Sequence, residues 1–475
     1  MLDTNAVDRV YRKVWRTPVP KLTSISITGL FGYADHKIAV RPNSPTIITA
    51  PNGAGKTHVL SITKHALALD IDGLSSLPFE KAVFDFNEGQ SMIVERGPSL
   101  DEKPTATYSL VQGGKTLEGP AVLSGTRTED GLPLPTHLEE RPDGNWFDTR
   151  SARVVSRALI ENAYRVTLPE SRAKRFDKIP QILQISTAVA PILIDTKRLD
   201  APAAHEVRGR RERDPNFVVA DRIHRYVQQI RVEVVQARRA SIRATQESDI
   251  SFAMRALAVA KKTINERKLH ARYDRIVASY ERLSRNGLAV GEELPPFPES
   301  TTPTVRRILS PFLDDWEARL QPLLPLNEKL ETLRDILDTK LRESGKRTTI
   351  DSDGRLGFES FSGRRIRVSS LSSGEQHLVA LFTALLFTAS EDSIVLIDEP
   401  EISMHIAWQH AFLEDISRVA SVRNHQVILA THSTAIVNGR WDIEEALELR
   451  LPPDLEASQS DDFDFDIDDL LGGME

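Results

Sequence analysis

The chain of 475 residues contains no cysteine. This absence excludes disulfide bonds, thiolate metal ligands and a cysteine nucleophile. Long apolar runs are also missing, because the longest strongly apolar stretch, Leu378–Ala389, is far shorter than the roughly 20 residues that cross a bilayer. The N-terminus has charged residues without a following apolar segment. We therefore expect a soluble, cytoplasmic protein with no membrane partner.

An excess of positive charge is lacking too, since the net charge is −7. The charge of the whole molecule therefore does not indicate a nucleic-acid binder. Residues 205–285 differ, with 19 Lys and Arg against 10 Asp and Glu. Within them, Asp221–Leu283 lacks Pro and Gly and repeats apolar residues at three- and four-residue intervals, which predicts amphipathic helix. This basic segment could bind nucleic-acid phosphates or form a solvated coiled-coil face, and both interpretations stay open.

An apolar strand followed by a glycine-containing turn predicts a phosphate-binding loop at Ile47–Thr57. Ala50 stands where the usual motif begins with glycine. In such a loop, backbone N–H groups surround phosphate oxygens, the lysine reaches the β- and γ-phosphates, and the threonine hydroxyl holds Mg²⁺. We expect Lys56 to be catalytic as well. The predicted ATP-binding residues are Asn52, Gly53, Ala54, Gly55, Lys56 and Thr57.

A second motif, Ile394–Pro400, is an apolar strand that ends in two adjacent carboxylates. Active sites of parallel sheets lie at the carboxyl ends of the strands. We assign Asp398 to Mg²⁺, together with Thr57, and Glu399 to the attacking water as the catalytic base. The plain alternative is a pair of acids that merely ends a strand.

Two further motifs carry polar groups next to apolar segments. In Leu371–Gln376, Ser372 and Gly374 precede an apolar helix, where they form either a second anion cradle or an ordinary helix cap. Leu429–Ser433 is an apolar strand that ends at His432. A solitary histidine is more often structural, but its occurrence with three other motifs favours a catalytic role.

The four motifs, in this order, resemble the ATPase heads of the ABC superfamily, in the branch with SMC, RecF and OLD proteins. The resemblance implies an α/β fold, with a mixed sheet flanked by helices and an inserted helical, partly coiled-coil arm. It implies that Ser372 and Gly374 bind the γ-phosphate of ATP held by a second subunit, and that His432 senses that phosphate. The expected active unit is a homodimer or higher homo-oligomer with ATP between the heads.

The resemblance and the composition together predict four parts. Their order is the N-terminal half of the head with a loop-rich insertion (1–200), a basic helical arm (201–345), the C-terminal half of the head (346–455) and an acidic tail (456–475). The tail alternates acids with large apolar residues, which is typical of a disordered segment. It is interpreted either as a docking or autoinhibitory peptide or as a plain solubilising tail.

Local patterns predict some elements of the head. Ala82–Arg96 is predicted as a hairpin and Phe358–Val368 as one strand before Ser372. Residues 100–150 are rich in Gly, Pro, Thr and Asp, which predicts loops.

Two functions remain after these arguments. Stand-alone ATPases of this branch resemble the ATPase subunits of bacterial antiphage systems such as PARIS and Septu. That resemblance implies an ATP-hydrolysing sensor and scaffold that regulates a separate nuclease or toxin. The alternative is a DNA repair or DNA-clamp ATPase similar to RecF or SMC proteins.

Overall fold

The computed structural model describes most of the chain, and the acidic tail 456–475 and residues 205–214 lie outside the described residues. The described residues are 19–98, 104–125, 138–140, 146–148, 153–155, 176–195, 215–259, 263–289, 294–351, 354–402 and 404–447. The chain divides into two compact units, and each is discontinuous in sequence. The first unit contains the chain up to Leu193, Asp392–Glu399 and everything from Gln426 onward. The second contains Ile194–Glu391 and Pro400–His425.

Strands and helices alternate irregularly along the described residues. The strands are β1 (Leu22–Leu30), β2 (Ala34–Ala39), β3 (Thr46–Thr49), β4 (Lys81–Phe86), β5 (Gln90–Arg96), β6 (Thr105–Gln112), β7 (Lys115–Ser124), β8 (Leu138–Glu140), β9 (Trp146–Asp148), β10 (Arg153–Val155), β11 (Ile192–Asp195), β12 (Lys346–Ile350), β13 (Leu356–Ser360), β14 (Arg365–Ile366), β15 (Ile394–Asp398), β16 (Gln426–Ala430) and β17 (Glu444–Ala446). The α-helices are α1 (Lys56–Leu67), α2 (Ile71–Ser75), α3 (Pro180–Val189), α4 (Pro215–Ala258), α5 (Glu266–Arg285), α6 (Pro303–Leu320), α7 (Leu324–Leu341), α8 (Ser373–Thr383), α9 (Ile406–Arg423) and α10 (Thr434–Val437).

A six-stranded antiparallel sheet in the first unit has the order β2–β1–β4–β5–β6–β7. The predicted hairpin at Ala82–Arg96 is confirmed as β4 and β5. The prediction of loops throughout residues 100–150 is wrong, because β6 and β7 extend this sheet. Ala106, Tyr108 and Leu110 of β6 alternate inward, and Gly113-Gly114 forms the tight turn to β7 with positive φ at both residues. The glycines that suggested a loop therefore join two strands.

The first unit also contains parallel strands in the order β15–β16–β3–β17. β15 and β16 are buried along their whole length, as strands covered on both faces must be. Their register places Asp398 opposite Ala430, and Ala430 opposite Ile48 of β3. The carboxyl ends of three strands therefore lie side by side.

Helix α1 shares one hydrophobic core with both sheets. Val59 and Ile62 of α1 lie in the same buried cluster as Ile25 of β1, Leu396 of β15 and Ile428 of β16. Burying a side chain of this size stabilises the fold by about 1.5–3 kcal/mol. This packing holds α1 in place, and with it the end of the predicted phosphate-binding loop.

The helices α4 to α7 form much of the second unit. Leu269, Ile276 and Leu283 of α5 are buried at seven-residue spacing, as in a coiled coil. The helix predicted over Asp221–Leu283 is divided into two helices, α4 and α5. The Asn265 side chain accepts a hydrogen bond from the Lys268 N–H and caps α5. None of the helices in the described part of the chain combines the length and apolar character needed to cross a bilayer.

A small antiparallel sheet, β12–β13–β14, precedes α8. The prediction of one strand at Phe358–Val368 is wrong, since the segment turns back on itself between β13 and β14. Gly363 lies in this turn with φ of 80°, a left-handed conformation that glycine adopts without steric strain. The apolar run after Ser372 is helical as expected, and α8 is followed by a π-helical turn over Ala384–Thr388.

Candidate functional site

The carboxyl ends of β3, β16 and β15 bring the predicted motifs of the first unit to one edge of the sheet. The predicted phosphate-binding loop follows β3, His432 follows β16, and Asp398 ends β15. The Thr431 N–H donates to the Ile48 carbonyl at 3.1 Å, which continues the pairing one residue beyond β16. Strand order and register therefore bring these groups together, although Thr57 and Asp398 are 341 residues apart in sequence.

The loop before α1 depends on glycine backbone geometry. Gly53 and Gly55 have φ of 84° and 94°. A Cβ atom on Gly55 would lie 2.6 Å from a methyl group of Leu30, so a larger residue would displace that core side chain. The Gly55 carbonyl accepts the first helical hydrogen bond, from the Val59 N–H at 2.8 Å. The loop thus leads directly into a helix N-terminus, where free N–H groups and the helix dipole attract anions.

Lys56 joins the loop to the histidine motif. Its Nζ donates to the Ala50 carbonyl at 2.9 Å and lies 2.6 Å from Nε2 of His432. The lysine side chain is therefore held across the mouth of the loop, next to the histidine of the fourth motif. Two nitrogen groups that can both donate to a phosphate oxygen converge at this point.

Thr57 and Asp398 form the second contact between motifs. The Thr57 hydroxyl donates to Oδ2 of Asp398 at 2.8 Å, and Asp398 is only 4% exposed. A hydroxyl and a carboxylate are the hard oxygen ligands that Mg²⁺ prefers. These two side chains, adjacent at the helix N-terminus, fit the metal site that the sequence predicts.

Glu399 follows Asp398 in a left-handed backbone conformation, with φ of 45°. For a residue other than glycine this conformation raises the energy by roughly 1–2 kcal/mol. The Glu399 N–H donates to the Ala430 carbonyl at 2.9 Å, which holds the turn against β16. Strained backbone at a strand end is typical of functional sites, and here it occurs at the sheet edge, where Glu399 is half-buried.

Ser372 and Gly374 lie in the second unit, at the start of α8. The Ser372 hydroxyl accepts from the Glu375 N–H at 3.3 Å, and the Glu375 carboxylate accepts from the Ser372 N–H at 2.8 Å, forming a capping box. Burial disfavours ionisation of Glu375, but hydrogen bonds from Lys346 and Ser344 outweigh burial and hold its pKa below the usual range. The structure therefore contains the helix cap that the motif predicts. The binding of ATP by Ser372 and Gly374 stays a prediction.

Sequence reasoning missed an aromatic group beside the loop. The rings of Phe31 and His58 meet edge to face with centroids 4.9 Å apart, and Tyr33 lies 6.2 Å from Phe31. A Cβ atom on Gly55 would approach the Phe31 ring to 3.2 Å, so this ring borders the loop directly. The only indication in the sequence was that two aromatic residues, Phe31 and Tyr33, flank Gly32. Such a pair is uncommon in this chain, because aromatic residues make up only 6% of it.

His36 of β2 also lies against the loop and was not predicted. Burial lowers the pKa of His36 below its usual value, although a hydrogen bond with the backbone of Ala54 and the charge of Asp35 oppose the shift. His36 is therefore neutral at neutral pH, and it contacts the loop as a buried polar residue.

Residues 46–438 match the family described as the AAA domain, putative AbiEii toxin, of type IV toxin–antitoxin systems. The chain belongs to this AAA family. The match includes the predicted phosphate-binding loop, Asp398, Glu399 and His432, and it establishes an AAA domain.

Other similarities to this AAA-family chain are shorter or weaker. Protein ea59 of Escherichia phage lambda is 32% identical over 102 residues, which cover 21% of this chain and only 18% of the phage protein. The Smc head domain of Pyrococcus furiosus, solved with an extended coiled coil and bound to the C-terminal domain of ScpA, is 14% identical, with a TM-score of 0.34 over 93% of this chain and 98% of that one. The SMC head domain of Thermotoga maritima is 11% identical, with a TM-score of 0.29 over 88% and 91%.

The positive charge of the basic segment in this AAA-family chain is partly neutralised by acidic residues of the neighbouring helices α6 and α7. Arg272 of α5 contacts Asp314 and Glu317 of α6 at 2.5 and 2.7 Å, and Arg282 contacts Glu331 of α7 at 2.5 Å. Exposed pairs of this kind stabilise a fold by about 0–1 kcal/mol each, so they mainly set how the helices align. These arginines connect helices within the second unit, which favours the coiled-coil interpretation for this part of the basic segment.

Proposed function

We propose that this AAA domain binds and hydrolyses ATP at the sheet edge where its motifs meet. The observation that supports it most strongly is the pair of contacts between motifs, Lys56 with His432 and Thr57 with Asp398. Lys56 and the N-terminus of α1 neutralise phosphate charge, and Glu399 orients and deprotonates the attacking water. A magnesium ion held by Thr57 and Asp398 would supply further positive charge at the transferred phosphate.

The base of the nucleotide stacks on Phe31 in this proposal, because the ring borders the loop and Tyr33 is 43% exposed beside it. Phe31→Ala is expected to weaken ATP binding about tenfold, since base–aromatic stacking contributes about 1–3 kcal/mol. Isothermal titration calorimetry with ATP measures the loss.

Inorganic tripolyphosphate serves as the control ligand for Phe31→Ala, because it has phosphates without a base. Phe31→Ala should bind tripolyphosphate with the native affinity. Phe361→Ala, which removes an exposed phenylalanine of the second unit, should bind ATP with the native affinity. An equal loss of tripolyphosphate and ATP affinity in Phe31→Ala would show that the ring only supports the loop.

We further propose that hydrolysis requires two copies of the chain, with Ser372 of one copy against the ATP of the other. Ser372 is exposed at the N-terminus of α8, where a phosphate would be favoured. Ser372→Arg should preserve ATP affinity and lower the ATPase rate on the order of tenfold or more, because the bulky side chain blocks closure between copies. Calorimetric titration measures ATP affinity, steady-state phosphate release measures the ATPase rate, and analytical ultracentrifugation with ATP measures the association of copies.

Loss of the helix cap has to be separated from loss of the interface in this experiment. Ser372→Ala is the matched control, since alanine loses the cap as arginine does but adds no volume. Both variants should melt at a similarly lowered temperature, and Ser372→Arg should lose much more ATPase activity than Ser372→Ala. Full ATPase activity in Ser372→Arg would argue against catalysis at a shared interface.

The proposed biological role is an ATP-controlled scaffold that regulates a separate nuclease or toxin. The description of the family, with a putative AbiEii toxin of a type IV toxin–antitoxin system, supports an association with toxins. Affinity purification of the tagged Glu399→Gln chain from its native host, with ATP present, should recover a toxin or nuclease polypeptide. If Lys56→Ala recovers the same partner in the same amount, ATP does not control the association.

A DNA-clamp function remains the alternative, and exposed basic residues of the second unit favour it. Arg239, Arg243, Arg267 and Lys268 are exposed on α4 and α5. A clamp requires ATP-dependent binding of duplex DNA by the isolated chain, with affinity that falls steeply as salt rises. Fluorescence anisotropy with and without ATP distinguishes the two functions, because the scaffold does not require DNA.

A further inference from the structure

The small sheet of the second unit has an open edge at β14. In the described part of the chain, β14 pairs with β13 alone. The Ser360 N–H donates to the Arg364 carbonyl at 2.9 Å. Because hydrogen-bonded and non-hydrogen-bonded pairs alternate along an antiparallel ladder, the backbone N–H and carbonyl of the next residue, Arg365, point away from β13. An edge with such groups can accept an additional strand.

Arginines lie along this edge. Arg365 and Arg367 are on the same face of the sheet, because the backbone is extended through both and side chains alternate. Arg364 precedes them, and all three are exposed. Glu359, opposite Arg365, is paired with Arg347 of β12 at 2.5 Å. In the described part of the chain, no carboxylate pairs with the three arginines of the edge, which therefore carries surplus positive charge.

Apolar surface lies next to these arginines. Phe361, in the turn between β13 and β14, is 60% exposed, and Ile366 of β14 is only half-buried. A ligand that fits the edge therefore combines negative charge with apolar side chains and has an extended backbone that can pair with Arg365.

The acidic tail combines these properties. Residues 461–469 contain six aspartates, and residues 456–475 contain no Lys, Arg or His. Four of the aspartates alternate with large apolar residues, in the order Asp462, Phe463, Asp464, Phe465, Asp466, Ile467 and Asp468. In a strand, a two-residue period places the acids on one face and the apolar residues on the other.

We propose that the acidic tail docks on the edge of β14 as an added strand. Its aspartates face Arg365 and Arg367, and its apolar side chains pack beside Ile366. The same arginines would attract a nucleic acid, but a nucleic acid has no backbone amide that extends a sheet and no apolar side chains at a two-residue period. The tail therefore fits this edge better than nucleic acid does.

The test uses the full-length chain with the photoreactive p-benzoylphenylalanine in place of Phe465, in the middle of the acidic segment. Irradiation should link the tail to residues 358–367, and mass spectrometry of the digested chain locates the link. Gel mobility shows whether the link joins one copy to itself or two copies to each other. Links confined to other parts of the chain, or no link at all, would overturn the proposal.

Two pairs of substitutions separate docking at the edge from general attraction of charge. Arg365→Gln combined with Arg367→Gln should lower the yield of the link about tenfold, because two charge-assisted contacts are lost. Arg239→Gln combined with Arg243→Gln is the matched control, since these arginines of α4 are also exposed and the net charge changes equally. The control should keep the yield within about twofold. Equal losses in the two pairs would overturn the proposal.

A rearranged tail tests whether the alternation is needed. It keeps the photoreactive residue at 465 and the composition of residues 461–471, but it places aspartate at 461–464, 466 and 467 and the apolar residues at 468–471. The charge is unchanged, so the yield should fall about fivefold or more only if the tail docks as a strand. An unchanged yield would show that charge alone attracts the tail.

Single-stranded DNA provides the last comparison. Equimolar DNA at about 0.15 M salt should leave the yield of the link within about twofold. Suppression of the link by DNA, with loss of DNA binding in Arg365→Gln combined with Arg367→Gln, would assign the edge to nucleic acid and overturn the proposal.

Discussion

Lys56→Ala is expected to abolish measurable ATP binding. The ammonium is held between the Ala50 carbonyl and His432 at the mouth of the loop, and phosphate charge at that position loses its main cationic partner when the side chain is removed. A hydrogen bond to a charged group contributes about 1.5–3 kcal/mol, so the loss of several such bonds weakens binding on the order of 100-fold or more. Calorimetric titration of ATP with Mg²⁺ measures the effect.

Lys64→Ala is the matched control for Lys56→Ala. Lys64 is on the same helix and pairs with Asp70 at 3.7 Å, two turns beyond the loop. This variant should bind ATP normally, and both variants should melt close to the native temperature. Native ATP affinity in Lys56→Ala would remove the phosphate-binding loop from the proposed mechanism.

Glu399→Gln is expected to preserve ATP binding while it slows hydrolysis by about 10²–10⁴-fold. The glutamine has nearly the same shape, so the turn after β15 is maintained, but an amide cannot accept the proton of the attacking water. Single-turnover phosphate release measures the rate, and ATP affinity is measured in parallel.

Glu88→Gln provides the control for Glu399→Gln. Glu88 is exposed in the turn between β4 and β5, so the same chemical change there should not alter hydrolysis. Hydrolysis at the native rate by Glu399→Gln would show that another group activates the water.

The short motifs could be predicted from the sequence because each consists of a few polar residues next to an apolar segment. Lys56, Thr57 and Asp398 needed only local pattern and known phosphate chemistry. Their contacts with one another depend on strand order, since β16 lies between β15 and β3 and brings His432 to Lys56. No local pattern encodes that order.

Other features depend on packing that local patterns do not contain. Phe31 belongs to no motif, and it borders the loop only because β1 and α1 share a core. The hairpin of β6 and β7 was missed because Gly113-Gly114 is equally compatible with a loop and with a tight turn. The pairing of Arg272 and Arg282 depends on where α6 and α7 lie, which the charge count of one segment does not disclose.

The position of β3 in its sheet has a consequence for biosynthesis. The described strands that pair with β3 are β16 and β17, the last two of the described chain, whereas β5, β6 and β7 pair with strands that are next to them in sequence. On the ribosome, the nascent strand that precedes the phosphate-binding loop therefore emerges long before its partners exist. Such long-range pairing slows folding and leaves an apolar edge open to aggregation in the meantime. Chaperones that shield this edge until β16 and β17 have been made would protect the nascent chain.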